Sequence, residues 1–315
     1  MKRLLAAGVS LAILAVIYHR IGAGPLREAF AATDGWWLIA SLVLVVPLTL
    51  VTAWRLQLLM PAGRRLSCGE ANRLILAASS LNLILPSKLG DIAKAFFMAR
   101  DHGLGQSYSL SLVLFEKASD MLSLLAWCLF GLALYPHRGK LFWLVVVAVA
   151  SLFALLVLFL TSHRFTVGLL GGAAGLLPAG VGRKIGTLAD RLDELRRHLA
   201  ASPALVARVA LVSLGIWLLH LVQTWLFVRA LGTWMPLLEN LALAPLAILA
   251  GLVPLTFAGV GTRDAAIILL YGAYLSPAAA AALGVLFTAR YLLPALAGLP
   301  FVHRYLAAVR PAAAT

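Results

Sequence analysis

The sequence predicts an all-α polytopic membrane protein, with about six full spans and two re-entrant helical hairpins in an inverted repeat. Three observations carry this. The 315 residues are 62% hydrophobic, more than a soluble domain of this size can hide. Mean hydropathy is +0.96, and apolar runs near the ~20 residues needed to cross a bilayer recur along the chain. Two apolar segments are broken by Pro, Gly and charge: Leu85-Pro-Ser-Lys-Leu-Gly-Asp91, and Pro254-Leu-Thr-Phe-Ala-Gly-Val-Gly261 followed by Arg263 and Asp264. Broken backbone and charge at membrane depth are tolerated where they face protein or a wet cavity. Two such segments in corresponding halves point to a transporter-like binding site.

Charge sets the topology. Lys and Arg number 26 against 12 Asp and Glu, a net charge of +14. The basic residues fall mostly between apolar runs, where they orient the spans and meet anionic lipid. No nucleic-acid motif accompanies them, so no nucleic-acid partner is expected. Cys68 and Cys128 lack CxxC or Cys/His context, so neither a metal, a disulfide nor a cofactor is expected.

Lys2 and Arg3 place the N-terminus in the cytoplasm, before a retained first helix, Leu4–Tyr18. A second span, Trp36–Met60, returns to a basic loop bearing Arg64, Arg65 and Arg73. Spans from about Ser107 to Tyr135 and from Leu141 to Thr161 are joined by an external loop, Pro136–Lys140. That loop breaks the charge bias locally. Residues 162–203 read as a cytoplasmic linker. Within it Arg183–Ala200 forms an amphipathic helix, with Leu188, Leu192, Leu195 and Leu199 at helical spacing. Such a helix is expected to lie on the inner leaflet. Ala204–Leu231 spans outward, and Ala278–Pro300 returns to a cytoplasmic tail. The prediction is one transmembrane domain, 1–315, in the inner (plasma) membrane, with both termini cytoplasmic and repeat halves near 36–135 and 204–300.

Residues 70–104 must then begin and end inside. The arm Leu74–Leu85 is too short for a comfortable span and reads as a re-entrant hairpin with its tip at Pro86–Gly90. Two thin, tilted spans are the alternative. Residues 238–276 form the second hairpin, entering from outside. The halves echo each other in order. Leu50-Val-Thr-Ala-Trp54 pairs with Leu221-Val-Gln-Thr-Trp225, and Met60-Pro61 with Met235-Pro236. The two broken tips correspond, as do Val113-Leu-Phe-Glu-Lys117 and Val285-Leu-Phe-Thr-Ala-Arg290.

A hairpin that turns at mid-depth exposes a helix N-terminus, which suits an anion. Ser87 would cap the first such helix beside Lys88, and Thr262 the second beside Arg263. Lys88 and Arg263 are expected to share one cavity and bind a lipid phosphate. Asp91, Glu116, Asp120 and Asp264 would balance the basic residues or carry a coupled proton. Glu116 and Asp120, one turn apart, share a helix face. Arg55 and Arg290 would line the path, and Lys94 either joins them or snorkels to the surface. The competing reading makes these charges ion pairs that only hold the hairpins.

These residues also carry a resemblance. Trp54-Arg55, Asn82-x3-Pro86-Ser-Lys-x-Gly90-Asp91-x2-Lys94 and Glu116-Lys117-x2-Asp120 resemble the lysylphosphatidylglycerol synthase transmembrane (flippase-like) family. So do Pro254-x-Thr256-x2-Gly259-x-Gly261-x-Arg263-Asp264 and Arg290. The chain departs from the family's usual Gly-Glu-x-x-Arg at Gly90-Asp91-Ile-Ala-Lys94, and from its Glu-Arg at Glu116-Lys117. It departs again from Thr-Pro-Gly-Gly at Thr256-Phe-Ala-Gly259. The resemblance implies movement of a lipid headgroup, by a stand-alone membrane member without the soluble aminoacyltransferase domain. The substrate would meet residues from the set Arg55, Ser87, Lys88, Asp91, Lys94, Glu116, Asp120, Thr256, Gly261, Arg263, Asp264 and Arg290. The partners implied are membrane lipids with an anionic headgroup, and a separately encoded lipid-modifying enzyme. No nucleophile–base pair or nucleotide loop suggests catalysis. The rival readings are a membrane subunit of a lipid aminoacyltransferase system and a structural factor in envelope lipid synthesis.

Overall fold

The computed structural model describes residues 2–61, 63–64, 66–85, 89–135, 138–175, 179–253, 256 and 259–307. Every regular element among them is an α-helix. Helices α1 (Lys2–Ile21) and α2 (Ala23–Ala31) meet at an 84° bend. Gly22 makes that bend with φ +80°, a backbone region costly for any residue with a Cβ. Asp34 caps α3 (Gly35–Val43), its carboxylate accepting from the Trp36 N–H at 2.8 Å. After a turn at Leu44 the chain continues as α4 (Val45–Leu59).

Among the described residues, Gly35–Leu59 is one of five segments long and apolar enough to cross a membrane. The others are α7 (Gln106–Leu134), α8 (Lys140–Thr161), α11 (Pro203–Ala230), and α14 (Pro277–Ala289) running into α15 (Leu292–Ala307). The bent α1–α2 pair makes a sixth if it counts as one span, in line with the number expected.

Two helix pairs stand apart from the long segments: α5 (Cys68–Ile84) with α6 (Leu89–Asp101), and α12 (Leu237–Gly251) with α13 (Thr262–Leu270). The first arm is longer than the sequence suggested, because Ser67 and Glu70 form a capping box that starts α5 earlier. At nine residues, α13 covers only about 14 Å of a hydrocarbon core about 30 Å thick. The arms of each pair approach closely. A Cβ on Gly90 would overlap the Ala78 carbonyl oxygen, and one on Gly259 would overlap that of Gly251. The tip residues Pro86, Ser87 and Lys88, and Pro254, Leu255, Phe257 and Ala258, lie outside the described residues.

The chain divides into two compact units. One holds residues 1–47, 124–150 and 217–293, including α12 and α13. Its interior contains the fully buried Asn240, which donates to the Leu221 carbonyl (2.8 Å) and accepts from the Tyr271 hydroxyl (3.0 Å). The other holds residues 48–123, 151–216 and 294–315, including α5 and α6. Its core gathers Leu56, Leu74, Met98 and Leu112, together with Leu195 and Leu199 of α10 (Ala179–Ala200). The amphipathic helix therefore turns its leucine stripe into the protein, not onto the leaflet. Each leucine so buried is worth about 1.5–3 kcal/mol. Arg196 ties α10 back through the Leu160 carbonyl (3.2 Å) and the Thr166 hydroxyl (3.0 Å). Thr166 belongs to α9 (His163–Gly175), a second helix in the segment 162–203 that the sequence presented as a linker with one helix.

Candidate functional site

The candidate charged residues that the structure describes, Lys88 not among them, fall into two clusters, one in each unit. In the unit of α5 and α6, Glu116 of α7 is the hub. One carboxylate oxygen takes the Lys94 ammonium at 2.7 Å, and the other faces the Arg55 guanidinium at 3.4 Å. One turn on, Asp120 accepts from the same guanidinium, which also donates to Ser213 at 3.2 Å. Lys117 lies 3.3 Å from Asp91, and Asn82 donates to that carboxylate at 3.4 Å. Arg55 and Lys94 are each only 1% exposed. Lys94 therefore does not snorkel, because the Glu116 carboxylate holds it inside. The helical spacing of Glu116 and Asp120 performs as expected: both reach Arg55.

This cluster is balanced. Arg55, Lys94 and Lys117 carry three positive charges, and Asp91, Glu116 and Asp120 three negative ones. Both Glu116 oxygens face cations, so its carboxylate is engaged on both sides within the cluster. Ser87 and Lys88, expected at this hairpin's tip, lie outside the described residues, and so does the cavity Lys88 was expected to share with Arg263. Beside the hairpin a groove of about 470 Å³ is walled mainly by apolar side chains, among them Leu81, Leu85, Ile92 and Phe96, with Gln106 at its edge.

The second cluster surrounds α13. Gly261, at φ +104°, precedes the helix, and its N–H donates to Asp264 at 2.7 Å. The acid at the third helical position therefore fills the helix N-terminus with its own carboxylate. Thr262, expected as the cap, instead shares a hydroxyl–hydroxyl bond with Thr256 at 2.8 Å. Arg263 reaches α14 with one nitrogen, bonding Thr288 Oγ1 (2.8 Å) and the Gly284 carbonyl (3.2 Å) and touching Asp264 at 3.3 Å. Gly284 is required here, since a Cβ would overlap the Asp264 carboxylate.

Arg290 sits between α14 and α15, at the midpoint of the apolar segment Pro277–His303. It is 4% exposed. Its guanidinium donates to Gln223 Oε1 (3.3 Å) and the Tyr291 hydroxyl (3.0 Å). All twelve Asp and Glu residues of the chain fall among the described residues, and none of them pairs with Arg290. Arg263 and Arg290 both lie against the Phe287 ring, 5.2 and 4.7 Å from its centre. Among the described residues the Nε of each has no hydrogen-bond partner. Two guanidiniums against one carboxylate leave the cluster with a net positive charge. A cavity of about 190 Å³ adjoins it, lined by Leu14, Tyr18, Asp264, Gly284 and Thr288. Among the described residues no three His, Cys, Asp or Glu side chains stand close enough to hold a metal ion.

Sequence reasoning missed Lys117, Gln223, Phe287 and Thr288 as members of these clusters. Gln223 had a signal: it is a polar amide inside a long apolar span, and such residues usually find a partner. Phe287 had none, because an aromatic in an apolar helix reads as ordinary core. No curated protein matches the chain. Residues 3–298 match the family described as the lysylphosphatidylglycerol synthase TM region. That match spans both units and both clusters, and the chain belongs to this family.

Proposed function

We propose that this protein moves a lipid, or a lipid-linked substrate, with an anionic headgroup across the cytoplasmic membrane, and that Arg290 with Arg263 receives the anion. The carrying observation is Arg290 itself, a buried cation without a carboxylate at the midpoint of a span. A charge at a helix centre in the bilayer costs at least about 2.5–3.5 kcal/mol, so it marks a site by default. An apolar residue would fill the same space at lower cost if packing were the only need. Among the described residues the cluster around Glu116 is balanced and has no spare charge to offer an anion, and on this reading it acts as scaffold for the first hairpin. The apolar groove beside it suits an acyl chain.

On this reading both hairpins are re-entrant, from opposite faces, in an inverted repeat. The nine-residue α13 and the enclosure of each hairpin in one unit support that arrangement. Cytoplasmic termini follow from the basic loops. The chain's work is binding and movement, not bond-making, and a separate enzyme makes or modifies the lipid.

The test is Arg290→Met in liposomes reconstituted with a labelled anionic phospholipid. Translocation is expected to fall about tenfold or more, while thermal stability holds or rises because a buried lone charge is gone. Unchanged translocation would overturn the proposal.

A further inference from the structure

We infer that Gln223 is a positioning residue that presents Arg290 to an anionic ligand without neutralising it. This rests on the anion reading above. Gln223 lies in α11 and is 1% exposed. Its Nε2 donates to the Ser41 carbonyl at 2.8 Å. A carbonyl can only accept, so the NH₂ end of the amide must face Ser41. The other end, Oε1, is thereby turned to Arg290 Nη1 at 3.3 Å. Ser41 is itself fully buried, and its hydroxyl is committed to the Leu38 carbonyl at 2.6 Å. The backbone of α3 therefore fixes the amide, and the amide fixes the guanidinium.

The choice of side chain matters. Glutamate has the same length and would pair with Arg290, the usual way to settle a buried guanidinium. Glutamine supplies a dipole instead. It orients the fork and leaves the full charge for a ligand. The opposite side of the fork is treated in the same way. The Tyr291 hydroxyl takes Nη2 at 3.0 Å, and the faces of Phe287 and Tyr291 lie 4.7 and 4.9 Å from the guanidinium carbon. Neutral acceptors and ring faces hold Arg290 in low dielectric, where an arriving anion is attracted far more strongly than in water. A bound anion would complete the buried ion pair that the fold leaves open.

The experiment measures the thermal shift of the purified full chain on adding short-chain phosphatidylglycerol, with short-chain phosphatidylcholine as the neutral comparison. Inorganic phosphate is a separate arm that distinguishes a free anion from a lipid headgroup. A ligand that binds only the folded state raises the melting temperature with its concentration, so the shift reports affinity. Gln223→Glu should weaken the phosphatidylglycerol response at least about tenfold in affinity, because its carboxylate neutralises Arg290. Gln223→Met keeps the charge but frees the guanidinium, and should weaken affinity severalfold. Neither should alter the phosphatidylcholine response, and the Met variant is read if the Glu variant does not fold. If Arg290→Met loses the response and both Gln223 variants keep it, the positioning role is wrong while the anion site stands. If Arg290→Met keeps it too, the anion site itself is wrong.

Discussion

Lys94 and Glu116 meet 2.7 Å apart, with side chains 1% and 2% exposed, and join α6 to α7. Two ions taken out of water depend on each other. Removing one partner of such a pair costs about 3–5 kcal/mol, because the other stays buried and uncompensated. Glu116→Gln should therefore lower the melting temperature sharply and cut the yield of folded protein. The double variant Lys94→Met, Glu116→Gln removes one charge of each sign and should recover part of that loss. A Glu116→Gln protein of wild-type stability with altered pH dependence of transport would instead support a proton-coupling role for Glu116.

Gly90 fixes how closely α6 lies on α5. A Cβ there would overlap the Ala78 carbonyl oxygen, and Asn82 is also too near. Backbone cannot yield as a flexible side chain can, so Gly90→Ala should destabilise by about 1–3 kcal/mol. Gly69, at the exposed start of α5, has open space around its Cβ position. Gly69→Ala should be neutral or slightly stabilising in the same melting assay.

Cys68 is exposed and Cys128 buried, so an impermeant maleimide reads Cys68 alone in the native protein. If α5 and α6 form a re-entrant hairpin, His102→Cys should label from the same face as Cys68. Pro236→Cys and Ser276→Cys, flanking α12 and α13, should both label from the other face. Opposite-side labelling within either pair would sink the hairpin topology.

The capping box at α5 gives a pH-dependent term whose sign can be worked out. The Ser67 N–H and hydroxyl hold the Glu70 carboxyl below its usual range. A group lowered on folding contributes stability above its unfolded value, about 4.3, and loses it as pH falls through the lowered folded value. The site is exposed, so the effect is small. Ser67→Ala should cost about 1 kcal/mol at neutral pH, and the difference from wild type should shrink in acid. A difference that does not change with pH would show that the carboxylate plays no part.

Composition and charge made the spans legible, because a bilayer demands about twenty apolar residues and leaves basic loops behind. Glu116 and Asp120 were legible as a pair because helical spacing alone puts them on one face. Their partners were not, since Arg55 and Lys94 come from other helices and only packing selects them. The end of α13 was misread for a similar reason. Thr262 and Asp264 are both good helix-start residues, and the Thr256 hydroxyl decided between them by engaging Thr262. The α10 stripe was amphipathic by sequence, but an amphipathic helix suits a lipid surface and a protein core equally well. The leucines Leu195 and Leu199 went to the core.

Within its own unit, α5 also meets α15. Gly298 sits against the Leu76 carbonyl with no room for a Cβ, and the Ser80 hydroxyl donates to the Ala295 carbonyl. Small residues that let two backbones touch act as a latch. If the chain moves lipid as proposed, any displacement of α5 and α6 would have to carry α15 with it. A bulky side chain at 298 would pry the latch open and let the hairpin shift alone.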